Sequence, residues 1–465
     1  MKKHLLIFIF SLGYFLSFSQ NAPTVYVDIQ APLPVCNPGE STTLQADYLQ
    51  TYATNTNNYD VTSIPYAPQF PFIGGTLLNV EIDDIWSPIV DLPFPFCFYG
   101  QNYTKLLVGA NGVLSFNIAG VVPGGTETPL VPGDCEWSYS GTIPSTTFPI
   151  KNAIYGVYQD IHPGLITNPA VQNINYYVTG TYPNRAFVLN TSEIPQYSCN
   201  TSVGLQTYQI ILYETTNTID VLVNKRTACT SWNGGRGVIG LMNQAGTLAA
   251  VPPNRNTGTW SAFNEAWRFT PSSAGGSNVT LEWFQGATSL GSTNPITVSP
   301  TTSTTYTAVA TYTRCDGSLI QIQDDITVAP EPNLPTLDPQ DITLCTSSPG
   351  PYTFNINQNA YMVNGYATPG DFVFRYYVDS SGAPGALIPN GTLNAYTPAS
   401  STYPQTIWVE VEEQGTVTGT GCINLRSFQL NVTAGPSGSF SYASSSYCES
   451  ITTPVAVTLS GLTSG

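Results

Sequence analysis

The sequence has 465 residues, of which 9% are charged and 12% are aromatic, and its net charge is −16. The scarcity of Lys, Glu and Arg excludes a mainly helical protein, because helices solvate their outer faces with these residues, and it favours β-sheets with neutral surfaces. The negative charge, without a basic patch, excludes nucleic-acid binding, and the presence of only two histidines excludes a multi-histidine zinc site.

Residues 1–19 have the features of a secretory signal peptide. A basic start precedes an apolar run over residues 5–16, and the small residues Ser17 and Ser19 favour cleavage before Gln20. No later stretch reaches the roughly 18 apolar residues of a membrane helix, so we expect no transmembrane segment. The mature chain is therefore predicted to be secreted or displayed at the cell surface, where disulfides persist.

Alternation of apolar and polar residues dominates the mature chain and predicts short β-strands. It is clearest around residue 306, where one face of the predicted strand carries Tyr306, Ala308, Ala310 and Tyr312. Similar patterns run through Tyr208–Tyr213, Ile219–Val223, Phe372–Val378 and Ile407–Val411. Between two apolar runs, Asn111–Gly112 predicts a hairpin with a type I′ turn. The predicted fold class is all-β, with tandem β-sandwiches.

Proline-rich and glycine-rich segments predict the domain boundaries. Residues 35–48 open like a sandwich, but a matching close follows only at Thr304–Cys315. We therefore predict one discontinuous sandwich at residues 20–50 plus 272–330, with a β-domain inserted at residues 51–271. A second sandwich is predicted at residues 331–435, and the start of a further repeat at residues 436–465. Because the sequence stops within a strand-and-turn pattern, we expect it to be the N-terminal part of a longer product, attached to the outer membrane through its C-terminal region.

Nine cysteines are an odd number, so at least one needs a separate explanation. The split sandwich predicts a disulfide between Cys36 and Cys315 that joins its two halves. Trp283 lies between them in the sequence, and we expect it to be a core aromatic residue, as in immunoglobulin domains. Cys448 is expected to pair with a cysteine beyond residue 465, and the alternative is a reactive free thiol.

The other six cysteines fall into three sequence-based groups, all expected to be oxidised. Cys199 and Cys229 flank a predicted pair of hairpins and are expected to bridge, which would leave Cys97 with Cys135. Four cysteines allow three connectivities, so the pairing of these four stays open. Cys345 and Cys422 are the early and late cysteines of the second sandwich.

The inserted region resembles nidogen-like extracellular domains. The matching segments occur in order at residues 94–117, 153–163, 185–197, 207–223 and 237–246. They contain the sequences NGVLSF, YQDIHP and GVIGLMNQAG. In its acidic turn the family often has a second Asp where this chain has His162 after Asp160. The resemblance implies an adhesion or matrix-type module without a chemical reaction.

The flanking segments resemble the Ig-like domains of very large secreted proteins of Bacteroidetes. The resemblance rests on residues 32–44 and 294–317, on segments between 337 and 434, and on residues 438–450. Such proteins usually end in a gliding-motility-associated or type IX sorting domain. The resemblance therefore implies that the tandem sandwiches are Ig-like, that the chain is exported by type IX secretion, and that it has a role at the cell surface associated with gliding motility.

Acidic pairs are the candidate cation ligands. Asp83 and Asp84 form the densest cluster, Asp324 and Asp325 form another, and Asp160 lies in the acidic turn. Calcium prefers such oxygen ligands, although no DxDxDG loop is present, so Asp83, Asp84 and Asp160 are candidate calcium ligands. The alternative interpretation makes them solvated acids, with Asp160 accepting hydrogen bonds within its turn. No other cofactor is predicted.

Several tryptophans are candidate sugar contacts, because their faces stack on apolar faces of sugars. Trp86, Trp137, Trp232 and Trp260 belong to this group. Trp137 and Trp232 stand in loops next to cysteines, where exposure is expected, and core packing is the alternative for both.

We expect a secreted adhesin or structural spacer that binds an extracellular polysaccharide or surface protein through the nidogen-like domain at the tip of an Ig-like stalk. No enzymatic reaction is predicted. The alternative is an exported carbohydrate-binding or carbohydrate-active protein, which a cleft with close carboxylates and stacked tryptophans would favour. A third interpretation, a stalk stiffened by calcium, predicts a melting temperature that falls when a chelator is added.

Overall fold

The computed structural model describes residues 22–33, 35–36, 38–53, 58–78, 82–118, 135, 137–330, 337–346, 348–364, 372–413, 422–434, 439–442 and 457–460. The predicted signal peptide and Cys448 lie outside the described residues. Within the described part, no helix is both long and apolar enough to cross a membrane.

The fold is all-β, as the composition predicts. The first strands are β1 (Val27–Ile29), β2 (Thr42–Leu44), β3 (Ala46–Tyr48), β4 (Tyr59–Ile64), β5 (Thr76–Leu77), β6 (Val90–Phe98), β7 (Gln101–Gly109), β8 (Val113–Ser115), β9 (Ala153–Tyr158) and β10 (Asn173–Thr179). Next come β11 (Ala186–Ile194), β12 (Gln206–Tyr213), β13 (Ile219–Arg226), β14 (Arg236–Met242), β15 (Ala249–Ala250), β16 (Gly258–Thr259), β17 (Ala262–Pro271), β18 (Val279–Gln285), β19 (Thr288–Gly291) and β20 (Ile296–Val298). The last are β21 (Thr304–Thr313), β22 (Leu319–Val328), β23 (Ile342–Thr346), β24 (Phe372–Tyr377), β25 (Leu387–Ile388), β26 (Gln405–Glu413), β27 (Ile423–Ala434), β28 (Ser439–Tyr442) and β29 (Val457–Ser460).

Helical segments are short and few in the described part. One α-helical turn, α1, spans Asn359–Met362. The 3-10 turns are Pro163–Leu165, Asn233–Gly235, Ser273–Gly275, Pro384–Ala386 and Asn390–Ala395.

The chain divides into two compact units. The first contains the described residues up to Ile29, together with Ala46–Thr293 and Thr307–Asp325. The second contains Gln30–Gln45, Asn294–Tyr306 and the described residues from Ile326 onward.

Two antiparallel sheets form most of the first unit. One has the order β4-β17-β13-β12-β11-β10-β5, and the other has the order β15-β14-β9-β8-β7-β6, with β16 paired to β14. Their facing side chains form the main core, in which Phe98 and Val108 of the second sheet join Leu189 and Val221 of the first. A smaller apolar cluster that includes Tyr139, which lies outside these strands, is separate from this core.

Strands on either side of the predicted insertion pair with one another. In the second unit, β2 pairs with β20 although about 250 residues separate them in sequence. In the first unit β1 pairs with β3, and β18 pairs with β21 within the sheet β19-β18-β21-β22. Trp283 on β18 is buried, and the predicted inner face of β21 is buried at all four positions. The predicted domain boundaries stay a prediction.

The five-stranded sheet β23-β27-β26-β24-β25 belongs to the second unit. Strand β23 runs parallel to β27, whereas β26 runs antiparallel to both β24 and β27. Its core includes Phe374, Tyr376, Val409 and Leu430, and Cys36 packs against it. Strands β28 and β29 form a separate two-stranded sheet.

Two predicted disulfide pairings are wrong. Cys36 bonds to Cys422 rather than to Cys315, because the segment that carries Cys36 packs against the core of the five-stranded sheet. Cys315 bonds instead to Cys97. Asn102 on β7, which pairs with Cys97 on β6, donates a 2.9 Å hydrogen bond to Asp316 in the turn after β21, and this contact brings the two cysteines together. The expected bond from Cys97 to Cys135 is thereby excluded.

Of the remaining cysteine predictions, one is confirmed and one is wrong. Cys199 and Cys229 form the disulfide that the flanking hairpins favour. Cys345, expected to be oxidised, is exposed and belongs to none of the disulfides found in the described part. Its sulfur lies 3.2 Å from the hydroxyl of Thr433 on the neighbouring strand β27, and the late cysteine Cys422 is taken by Cys36.

The predicted β7–β8 hairpin forms, but its turn is not type I′. Gly109 pairs with Val113, so three residues make the loop, and the amide of Gly112 donates to the carbonyl of Gly109. Only Gly112 has a positive φ, of 78°, whereas a type I′ turn needs two such residues. Asn111 is instead fully buried, and its side chain is available for contacts with other loops.

Candidate binding site: the acid–aromatic cluster

Two loops of the first unit bring together the predicted calcium ligands. Asp83 and Asp84 lie in the turn before Trp86, and Asp160 follows two residues after β9. One ligand atom from each carboxylate lies within 4.8 Å of those from the other two. Asp160 follows Asp84 by 76 positions in the sequence, yet the three residues form one acidic group.

Asn111 holds the two parts of the acidic group together. Its side-chain amide donates a 2.7 Å hydrogen bond to Oδ1 of Asp84, and its side-chain oxygen accepts a 3.0 Å bond from the amide of Ile161. The same amide group also donates to the carbonyl of Cys135 at 3.1 Å. A residue predicted to form a turn is thus the buried link between both acidic loops.

Asp160 is the most deeply placed of the three acids, with 7% of its surface exposed. Its Oδ2 accepts a 2.6 Å hydrogen bond from the indole nitrogen of Trp232, whereas its Oδ1 has no hydrogen-bond partner. Burial raises the pKa of Asp160 to about 7. The Trp232 hydrogen bond opposes this rise in pKa, and the charges of Asp83 and Asp84 add to it. The expected hydrogen bonds from its own turn are replaced by one from a distant tryptophan.

Asp83 and His162 form the outer side of the acidic group. Oδ2 of Asp83 lies 3.8 Å from Nε2 of His162. Burial raises the pKa of Asp83, and His162 opposes this effect. Oδ1 of Asp83 and Nδ1 of His162 are both buried without a hydrogen-bond partner. His162 precedes a 3-10 turn, but its side chain does not cap that turn.

Four half-buried aromatic rings adjoin the acids. The ring centroids of Trp137 and Trp232 are 5.3 Å apart, those of Trp232 and Tyr197 are 4.8 Å apart, and those of Tyr197 and His162 are 5.9 Å apart. We call these rings and the three aspartates the acid–aromatic cluster. Both tryptophans predicted as sugar contacts belong to it, whereas Trp86 and Trp260, the other two candidates, are buried and cannot stack on a sugar.

A disulfide and a buried polar network fix the aromatic loops. The Cys199–Cys229 bond joins the loop of Tyr197 to the loop of Trp232, and the amide of Trp232 donates to the carbonyl of Cys229 at 3.1 Å. The backbone segments 160–162 and 195–197 also bond to one another. This arrangement keeps the rings in place without burying them completely.

Arg226 is the centre of this buried polar network, and its side chain is completely buried. It donates to the side chain of Gln159 at 2.9 Å and to the carbonyls of Gly235 and Arg236 at 2.8 and 2.9 Å. Gln159 also accepts a 2.6 Å bond from Gln196. Burial lowers the pKa of Arg226 to about 10.

A polar groove begins at Ser138, immediately after Trp137. Its volume is about 280 Å³, and its lining includes the hydroxyl residues Ser138, Ser140, Ser145 and Thr147 and the guanidinium of Arg236. Arg236 is held by hydrogen bonds to the carbonyl of Tyr139 and the side chain of Asn233, which follows Trp232. The groove is therefore lined by Ser138, which adjoins Trp137 in the chain, and by Arg236, which bonds to the neighbour of Trp232.

The other predicted acidic pair does not join this group. Asp324 accepts a 2.9 Å bond from the amide of Ile29, and Asp325 accepts a 2.5 Å bond from the hydroxyl of Thr307. Sequence reasoning missed Asn111, Tyr197 and Arg226 as parts of the site. An Asn within an otherwise apolar stretch was the available signal for Asn111, whereas no sequence pattern pointed to the other two.

Two known families match separate parts of the chain. Residues 58–283 match a family model described as NIDO related, and this range contains the whole acid–aromatic cluster. Residues 341–436 match the Flavobacterium inter-domain disulphide bond domain. The Cys36–Cys422 bond links a residue outside this second match to one inside it. No curated protein matches the chain.

The family matches and the disulfides indicate the same cellular location for the protein. Three disulfides form in the described part, and such bonds persist in oxidising compartments outside the cytoplasm. The two family matches and the disulfides together indicate an extracellular protein of the Bacteroidetes surface type.

Proposed function

We propose that the protein is a secreted surface adhesin that binds an extracellular polysaccharide, or a surface protein bearing one, at the acid–aromatic cluster. The observation that carries this proposal is the hydrogen bond between Trp232 and Asp160 within a group of half-exposed rings. Sugar rings offer apolar faces that stack on tryptophan and hydroxyls that donate to carboxylates. A site with aromatic walls and a few fixed polar groups is typical of small-ligand recognition.

The neighbouring groove supports the same class of ligand. Its serine and threonine hydroxyls both donate and accept, which matches the hydroxyls of a neutral sugar. Its volume of about 280 Å³ is slightly below the usual range of about 300–1,000 Å³ for small-molecule pockets. The groove therefore fits a short stretch of a chain that extends past it, which is how a polymer would bind.

We further propose that binding occurs without catalysis. In the cluster, Oδ1 of Asp84 and Oδ2 of Asp160 already accept hydrogen bonds from Asn111 and Trp232 and so position the loops. A carbohydrate-active enzyme is the second candidate, because close carboxylates beside stacked tryptophans are what that alternative requires. Hydrolysis of a bound polysaccharide that disappears in Asp160→Asn would establish the enzyme and refute the adhesin.

We also propose that the protein is exported by type IX secretion and is displayed on Ig-like repeats. Its role would be adhesion during gliding. The support is the signal-type N-terminus, the resemblance of the flanking segments to Bacteroidetes surface proteins and the two family matches. Fractionation of cells that lack a working type IX system tests this part. Retention of the chain in the periplasm is expected, and unchanged surface display would contradict it.

A binding assay with two variants tests the adhesin proposal. The secreted chain is applied to immobilised bacterial and plant polysaccharides, and the best ligand is then titrated. Trp137→Ala/Trp232→Ala should weaken binding at least tenfold, or about 1.4 kcal/mol. Phe263→Ala is the matched control, because Phe263 is an aromatic residue of the same unit that is 61% exposed outside the cluster. Equal affinity of both variants and the native chain would refute the proposed site.

A further inference from the structure

We propose that Asp83, Asp84 and Asp160 bind a divalent cation, and that this cation is calcium. The three carboxylates come from two loops, and their ligand atoms lie within 4.8 Å of one another. No salt bridge of Asp160 is found in the described part of the chain. A bound cation would supply the positive charge that this arrangement of carboxylates requires.

Unpartnered atoms provide the second, independent observation. Asp160 is more than nine-tenths buried, yet its Oδ1 has no hydrogen-bond partner. Oδ1 of Asp83 is likewise buried and unpartnered. Buried carboxylate oxygens without partners are costly and rare in folded proteins. Two such oxygens in one acidic group indicate a ligand that binds both.

The donor set and its spacing favour calcium. All three ligands are carboxylates, which hard cations prefer, whereas zinc sites usually draw on several His or Cys ligands. Two oxygens on opposite sides of a calcium ion, each about 2.3–2.6 Å from it, are about 4.6–5.2 Å apart. Carboxylate oxygens that all lie within 4.8 Å of one another fit this span. Magnesium usually binds through only one or two carboxylates and keeps several waters, so a group of three carboxylates favours calcium.

The cation site is coupled to the aromatic rings. Oδ2 of Asp160 holds the indole of Trp232, so a cation on the other oxygen would fix both the carboxylate and the ring. Asp84 is held by Asn111 and has a left-handed backbone with φ of 56°. Cation binding should therefore change the environment of Trp232. The cation proposal rests on these contacts alone and does not require that the ligand of the rings be a carbohydrate.

Titration of the secreted, EDTA-treated chain with calcium chloride tests the proposal. We expect one site by calorimetry, with a dissociation constant in the extracellular range of about 10⁻⁴–10⁻³ M, and a melting temperature that rises with calcium. Asp83→Asn/Asp84→Asn and Asp160→Asn should each lose both effects. Asp324→Asn/Asp325→Asn is the matched control, because it removes the same charge as the first variant outside the group, and it should keep both effects.

Terbium luminescence gives a second readout that does not depend on a change in stability. Terbium bound at Asp160 should be excited through Trp232, calcium should compete with it, and Trp232→Phe should reduce the emission. The proposal would be overturned if calcium gave the native chain neither binding heat nor a higher melting temperature and terbium gave no emission. It would also be overturned if Asp160→Asn gave the same responses as the native chain. Loss of calcium binding with unchanged polysaccharide binding would support the cation site and separate it from the adhesin proposal.

Discussion

The Cys199–Cys229 disulfide is predicted to stabilise the NIDO-related region and to fix the aromatic loops. The bond joins residues 30 positions apart, and in the chain-entropy model a loop of this length is worth about 3.6 kcal/mol. For a domain of this size, 1 kcal/mol shifts the melting temperature by about 2–4 °C. Cys199→Ser/Cys229→Ser should therefore lower the midpoint of the corresponding transition by about 7–14 °C.

Calorimetry of the secreted variant measures this shift, and tryptophan fluorescence reports on the rings. The fluorescence of Trp232 should change, because its loop begins at Cys229 and loses its link to the loop of Tyr197. Cys345→Ser is the control, because Cys345 is exposed and belongs to none of the described disulfides, and it should leave both signals unchanged. A shift below about 2 °C in the double variant would refute the reasoning, since a disulfide that closes this loop should contribute more than that.

Two substitutions test other parts of the framework by denaturant unfolding. Asn111→Ala should destabilise the chain by about 2–4 kcal/mol, because it leaves the buried amide of Ile161 unpaired and removes the bond to Asp84; a loss below about 1 kcal/mol would show that Asn111 is not the link between the loops. Asp220→Asn should cost about 3 kcal/mol, because Asp220 is fully buried and accepts two 2.8 Å bonds from Arg268. An unchanged unfolding midpoint would contradict the assigned ion pair.

Alternation in the sequence was enough to predict some of the strands. On β21, every second residue from Tyr306 to Tyr312 is buried, because successive side chains of a strand point to opposite faces. The low content of charged residues likewise predicted an all-β fold. These properties are local, so a single sequence contains them.

Disulfide pairing could not be derived in the same way. The choice between Cys36–Cys315 and Cys36–Cys422 depends on which core the segment of Cys36 packs against, and no spacing in the sequence records that. The same limit applies to Cys97, whose partner is 218 residues away. Only Cys199–Cys229, between neighbouring hairpins, was accessible from sequence order.

The sequence identified individual residues of the candidate site but not their assembly into one cluster. Asp83, Asp160, Trp137 and Trp232 were each identified by residue type, but their meeting depends on loops from different strands. Asn111 was interpreted as a turn residue because an Asn–Gly pair usually is one. The three-residue turn instead buries its side chain and directs it to both acidic loops.

Hydrogen-exchange mass spectrometry of the full secreted chain, with and without its polysaccharide ligand, tests the central claim most directly. The account predicts that ligand-induced protection concentrates in peptides covering residues 137–141, 160–163, 195–200 and 229–236. Protection confined to the sheet β19-β18-β21-β22, at residues 279–291 and 304–328, would contradict the claim that the acid–aromatic cluster is the binding site.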